Sequence, residues 1–195
     1  DKAYDLRVST IPAVGAEKCV VRILDSSAAL SLDDIGLLPF ELDRLRELLG
    51  HRDGLVIITG PTGSGKTTTL YGALQELADG KVNIMTVEDP IEYELSGITQ
   101  TQVETKQGMT FASALRAMLR QDPDIILVGE IRDKETAVTA VQAAMTGHLV
   151  LATVHANDAV GAVARLADMG LQFSVVAQTL RGALAQRLLR RVCKA

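Results

Sequence analysis

An eight-residue stretch, Gly60-Pro61-Thr62-Gly63-Ser64-Gly65-Lys66-Thr67, restricts the architecture of this chain more than any other feature. It matches the pattern G-x-x-x-x-G-K-[ST], in which a glycine-rich loop joins a strand to a helix and its backbone N–H groups wrap an anion. A pattern this short needs the right setting, and both flanks supply it. Leu55 to Thr59 is an apolar run of strand length, and residues 67–78 place Leu70, Ala73, Leu74 and Leu77 at helical spacing. The glycines at 60, 63 and 65 permit backbone angles and close approaches that a side chain would block. The helix adds the positive end of its dipole, Lys66 reaches the outer phosphates as a point charge, and Thr67 offers a hydroxyl to magnesium. Pro61, Thr62, Ser64 and Thr68 complete the expected cradle. The implied ligands are ATP and Mg²⁺.

Composition narrows the partners. The 195 residues suffice for one large or two small domains, and 47% hydrophobic content supplies a packed core. A net charge of −4 creates no basic field to gather nucleic acid or acidic lipid, and 3% aromatic residues leave little material for stacking bases. The expectation is no nucleic-acid partner. No apolar run approaches the roughly 18 residues that cross a bilayer, and Asp1-Lys2-Ala3-Tyr4-Asp5 is not a signal peptide, so the chain reads as cytoplasmic with no direct membrane span. Two cysteines make no disulfide framework, and Cys19, inside an apolar run, reads as a small core residue. The start at Asp1, without an initiator methionine, reads as that of an excised segment.

Three regions emerge along the chain. Residues 1–27 are β-rich, with Leu6 to Ile11 and Cys19 to Leu24 flanking a turn at 12–15, and read as the tail of a preceding small domain. Residues 28–54 form a linker with a short amphipathic helix opened by Pro39 and ended near Gly50. From 55 to 195, apolar strand-like runs at 55–59, 82–87, 125–129 and 149–154 alternate with helical patterns at 67–78, 110–121, 133–146, 158–169 and 174–191. Doubly apolar strands alternating with helices predict an α/β fold around a mostly parallel sheet covered on both faces. Ligands of such sheets sit beyond the carboxyl ends of the strands.

Chemistry-bearing residues gather at those strand ends. Glu88-Asp89-Pro90-Ile91-Glu92 puts three carboxylates after the second strand, where one is needed to orient an attacking water and others to hold magnesium or its hydration shell. The third strand runs into Gly129-Glu130-Ile131-Arg132-Asp133. Gly129 stands where nucleotidases usually carry Asp, which leaves the magnesium side to Glu130. The fourth strand ends in Thr153-Val154-His155, and a histidine there can hydrogen-bond a terminal phosphate.

In order, the loop at 60–67, the acidic box at 88–93, the atypical strand at 125–133 and the histidine box at 147–158 resemble the secretion ATPase superfamily, especially the type II secretion and type IV pilus assembly (extension) ATPases. The resemblance runs from about Arg7 to Cys193. It implies a RecA-like P-loop domain in a cytoplasmic homohexamer, whose ATP hydrolysis does conformational work on an inner-membrane platform with cytoplasmic adaptor proteins. It further implies that Arg7 and Arg22 reach the nucleotide phosphates from the small preceding domain. Assembly-type members continue past a cysteine like Cys193 into a four-cysteine zinc motif; one cysteine cannot make that site, so zinc is not expected here. Glu88 is then the candidate for polarising water and Glu130 for the magnesium side, with Lys66 on the phosphates; the two carboxylate roles are exchangeable at this level. Two other readings stay open: a nucleic-acid motor of the conjugation or helicase type, and a non-catalytic nucleotide-gated scaffold.

Overall fold

A computed structural model of the protein describes residues 5–24, 30–190 and 192–193. Near its start, Asp5–Ala13 (β1) and Ala16–Leu24 (β2) form an antiparallel ribbon that is a sheet of its own. Gly15 closes the turn at φ +78°, a left-handed angle that suits glycine. The pairing sets Arg7 opposite Arg22. Cys19 on this ribbon is exposed, which corrects the expectation of a core cysteine. A two-stranded sheet buries nothing unless a second layer covers it, and apolar Val8, Ile11, Val20 and Ile23 are exposed beside Cys19. The boundary expected at residue 27 lies outside the described residues.

The helix Pro39–Leu49 (α1) has proline in its first turn, where the missing N–H costs nothing, and the Glu41 carboxylate accepts the Leu38 N–H at 2.9 Å. It leads into a six-stranded sheet whose elements in chain order are Gly54–Thr59 (β3), Ile84–Glu88 (β4), Thr99–Gln102 (β5), Ile125–Val128 (β6), Leu149–Val154 (β7) and Leu180–Ala185 (β8). The spatial order is β5-β4-β6-β7-β3-β8, and every adjacent pair is parallel. The helices are Lys66–Leu77 (α2), Phe111–Met118 (α3), Lys134–Met145 (α4), Ala159–Asp168 (α5) and Phe173–Thr179 (α6).

Alternation along the strands divides the core in two. Leu55 and Ile57 of β3, with Val87, Ile126, Val128, Val150 and Ala152, face a layer built from α3, α4, α5 and α6. Their neighbours Val56, Ile58, Ile84, Leu127 and Leu151 face α1 and α2. Both faces are dry, as the unbroken apolar runs anticipated. Among the described residues no helix is long and apolar enough to cross a membrane.

Two elements differ from expectation. The helical pattern over 174–191 stops at Thr179, and the chain turns into β8. The free edge of β3 takes precedence over local propensity: Leu180 to Ala185 complete its hydrogen bonding, and Gly182 leaves room for Leu48 of α1, whose Cδ1 would lie 2.6 Å from any added Cβ. The second is β5, Thr-Gln-Thr-Gln, an edge strand without an apolar residue and so without a periodic signal.

Leu74 of α2 is fully buried in the layer under the phosphate-loop helix. Leu74→Ala should lower stability by about 2–5 kcal/mol through lost burial and the cavity left behind, read as a shift in the denaturant or thermal midpoint.

Candidate functional site

The loop between β3 and α2 is held from both sides. At the end of β3, buried Thr59 shares its hydroxyl proton between the carbonyls of Val154 (2.8 Å) and Ala156 (2.9 Å), and accepts the Ala156 N–H at 3.0 Å. This fastens the exits of β3 and β7 together and brings His155 beside the loop. On the other flank, the segment leaving β8 lies against the loop: Gln186 N–H donates to Thr59 O at 3.0 Å, and Gln186 Nε2 donates to Ser64 O at 2.7 Å. A Cβ at Gly60 would come within 2.5 Å of the Gln186 carbonyl, so only glycine admits this approach. Gly65, at φ +86°, is the residue from which α2 starts.

Lys66, the first residue of α2, donates through Nζ to the carbonyls of Gly60 (2.9 Å) and Pro61 (3.0 Å), which holds its ammonium across the loop. Burial pushes its pKa below the ordinary lysine value; the Arg187 charge acts the same way, and the Glu130 carboxylate opposes both. Lys66 and Glu130 therefore feel each other's charge.

Glu130 follows β6. Thr153 Oγ1 donates to Gly129 O at 2.6 Å, and Ile131 N–H donates to Thr153 O at 2.9 Å, which anchors the turn to β7. One oxygen of Glu130 accepts from Arg132 Nε; the other lies 2.5 Å from His155 Nε2 but out of line for a hydrogen bond, which leaves it a buried acceptor without an aligned donor. Ser64 Oγ is a second such atom in the same loop region. Arg132 also approaches Asp89 at 3.9 Å, so it pairs with neighbouring carboxylates. Asp133 is occupied differently, capping α4 by accepting the Thr136 N–H at 2.8 Å. His148 sits at the other end of α4, with Nδ1 2.9 Å from Ala143 O; a carbonyl only accepts, so Nδ1 carries the proton and the ring closes the helix end.

Glu88 ends β4 and is only 4% exposed. Its Oε2 accepts from the Tyr71 hydroxyl, and its Oε1 accepts from Thr86 Oγ1 at 2.5 Å and Gln100 Nε2 at 3.2 Å. Three neutral donors surround this carboxylate. Gly129 explains how it fits: a Cβ there would lie 3.2 Å from Val87 O, 3.3 Å from Glu88 Cα and 3.6 Å from Glu88 Cγ. The space that an aspartate side chain would need beside β6 is taken by Glu88 from β4.

A cavity of about 660 Å³ lies beyond the carboxyl ends of the strands. Thr62, Gly63, Ser64, Gly65, Lys66, Thr67, Thr68, Glu130 and His155 line it, together with Glu92, Tyr93, Thr153, Leu188 and Arg22. Gly60 and Pro61, with His155, Ala156 and Asn157, line a smaller cavity of about 200 Å³. Glu88 and Arg7 line neither: Glu88 stands behind Gly129, and Arg7 stands across from Arg22 on the ribbon. Sequence reasoning missed Tyr71 and Gln100 as partners of Glu88; their positions on an apolar helix and in a polar edge strand gave no sign of it.

Among the described residues, no three His, Cys, Asp or Glu side chains converge as a metal cluster. The donors that fit a magnesium ion are the Thr67 hydroxyl and the unaligned Glu130 oxygen on one cavity, a sparse set that leaves positions for water and phosphate oxygens, as this ion prefers.

Comparison with known proteins places these features in a group. The family profile described as "Type II/IV secretion system protein" matches residues 1–195. The chain is similar to the type II secretion system protein HxcR of Pseudomonas aeruginosa, 58% identical over 98% of this chain and 41% of that one. It is also similar to the type II secretion system ATPase E of Vibrio cholerae, 54% identical over 98% of this chain and 38% of that one. The chain thus spans about two fifths of the length of these relatives. Among solved structures, the pilus retraction motor PilT with bound ADP superposes with a TM-score of 0.78 at 35% identity, over 94% of this chain and 59% of that one. The ATPase DotB of Legionella pneumophila gives the same TM-score at 29% identity, over 95% and 54%.

Gly129→Ala tests the shared space between β4 and β6. A methyl group 3.2 Å from a strand carbonyl has no flexible neighbour to displace, so the substitution should cost about 1–3 kcal/mol, measured by denaturant unfolding. An unchanged midpoint would mean that the two strand ends are not closely fitted.

Proposed function

The chain belongs to the type II/IV secretion system protein family, and on that premise we propose that it is the ATP-hydrolysing core of a hexameric motor that powers type II secretion or type IV pilus assembly. The observation that carries the reading is the convergence of Lys66, Thr67 and Glu130 on one cavity at the start of α2, where helix dipole, loop N–H groups and ammonium all favour a polyphosphate.

In this reading ATP displaces the loop carbonyls from Lys66, whose Nζ turns to the outer phosphates. Thr67 and Glu130 would hold a magnesium ion, which would supply positive charge to the phosphate oxygens. Glu88 polarises the attacking water; its place beside Gly129, one strand from Glu130, supports a division of labour between the two carboxylates. His155, next to Glu130 and facing the cavity, reads the terminal phosphate.

Arg7 and Arg22 belong to a boundary between domains or subunits. Like charges directly opposite on a ribbon repel, and an anion lying over both relieves that repulsion; Arg22 already lines the cavity. Loss of the γ-phosphate removes the contacts between ribbon and loop, and that loss becomes movement. The motor works in the cytoplasm against an inner-membrane platform and its adaptor proteins.

Lys66→Ala should abolish phosphate release from ATP without changing the unfolding midpoint, and wild-type turnover in this variant would remove the phosphate assignment. Glu88→Gln and Glu130→Gln should each retain binding of a non-hydrolysable analogue while lowering kcat. Turnover should rise with protein concentration as subunits associate, and Arg7→Ala with Arg22→Ala should lower it by about 10³ or more. A dilute monomer with full activity, indifferent to both arginines, would exclude the boundary role. Nucleotide binding without turnover in assembled rings would favour the gated scaffold instead.

A further inference from the structure

The strand order gives the mouth of the sheet a direction. β6, β7, β3 and β8 stand side by side, three steps of about 4.8 Å, so the row spans roughly 14 Å, comparable to an extended nucleoside triphosphate. Glu130 and His155 leave β6 and β7 on one side of the phosphate loop, and the segment leaving β8 lies on the other. β8 runs level with β3, Ala185 opposite Thr59, so its exit reaches the same mouth. That exit contributes one side chain to the cavity of about 660 Å³, Leu188. Leu188 is 66% exposed, and its Cδ2 would lie 3.5 Å from a Cβ built on Gly65, so it rests against the loop where α2 begins. Its neighbour Leu189 is 88% exposed and lines neither of the two cavities. Single exposed leucines are common on protein surfaces, but Leu188 sets an aliphatic surface at the edge of a site otherwise suited to phosphate.

We propose that Leu188 is a nucleobase contact: it carries the base of the bound nucleoside triphosphate on the β8 side of the phosphate loop. The inference rests on the reading of the loop as a triphosphate cradle with its terminal phosphate toward Glu130 and His155. A triphosphate held that way extends its ribose and base in the opposite direction along the mouth, over the exit of β8. The faces of a nucleobase are flat and apolar, and water leaves both surfaces when the ring lies on a leucine. At the other end of the cavity stands Tyr93, which follows β4, beyond Glu130, and whose ring is engaged edge-on with Tyr71 at 4.7 Å between centroids. A base there would turn the terminal phosphate away from Glu130 and His155. Gln186, two residues before Leu188, donates through Nε2 to Ser64 O at 2.7 Å, so the segment that carries the base contact is fastened to the loop that carries the phosphates.

The test compares ATP with a ligand that keeps the phosphates and lacks the base. Dissociation constants of a non-hydrolysable ATP analogue and of inorganic tripolyphosphate are measured by calorimetry in the full-length protein, as wild type, Leu188→Ala, Leu189→Ala and Lys66→Ala. Leu188→Ala should bind the analogue about tenfold more weakly and tripolyphosphate within about twofold of the wild type, with Leu189→Ala unchanged for both. Equal losses for the two ligands overturn the proposal, since they mark a leucine that only steadies the loop; unchanged binding of both overturns it as well. Affinity for both ligands that survives Lys66→Ala is a separate result: it removes the phosphate reading, and the proposal with it. Leu188→Trp gives a second readout that does not depend on tripolyphosphate. Its emission, taken as the difference from the wild type, should fall on adding the ATP analogue while that of Leu189→Trp stays constant. An unresponsive Leu188→Trp, or an equal response from both variants, overturns the base contact.

Discussion

Everything at the mouth of the sheet depends on the parallel pairing of β3 with β7. Six consecutive residues run in register, from Gly54 opposite Leu149 to Thr59 opposite Val154, and both strands end at the same level. Thr59 then closes the gap between them with three contacts to Val154 and Ala156. A one-residue slip would turn the apolar faces inside out and move His155 away from the loop. The register that buries Leu55 and Ile57 on one face and Val56 and Ile58 on the other is thus the same register that assembles the cavity. Stability and function are decided by one set of hydrogen bonds.

Two carboxylates stand at the ends of neighbouring strands under opposite conditions. Glu130 faces two cations, Arg132 on one oxygen and Lys66 across the loop, and the His155 ring lies near its other oxygen. Glu88 is surrounded by neutral hydroxyls and an amide, with little solvent. Neutral donors with fixed geometry allow one arrangement and hold it. The two acids thus stand in opposite surroundings although they sit at the ends of neighbouring strands.

The sequence carried much of this, and where it failed the reason is physical. The loop, β7 and α1 were legible because each signal is local: a glycine pattern, an unbroken apolar run, a proline at a helix start. Fold class followed from strand and helix alternation. β8 was hidden because its residues read as helix until a partner edge is present, and Gly182 acquires its meaning only from Leu48. β5 was hidden because an edge strand of threonine and glutamine buries little. In the cavity, the loop residues and Glu130 stand where their spacing put them, while Glu88 proved deeply enclosed. Its partners Tyr71 and Gln100 lie 17 and 12 residues away along the chain, on elements whose packing no motif describes. Spacing locates the residues of one loop far better than it locates the distant side chains that pack against them.

The clasp of Gln186 on Ser64 spans 122 positions of sequence. A ribosome delivers the glycine loop before it delivers the strand that steadies it, and over those 122 positions of synthesis the loop exists without one of its walls. Local pieces such as α2 can form early, since their contacts are near in sequence, but the closing of the loop must wait for the last strand to find the edge of β3. A growing chain therefore holds back its finished anion cradle until nearly all of the sheet is in place.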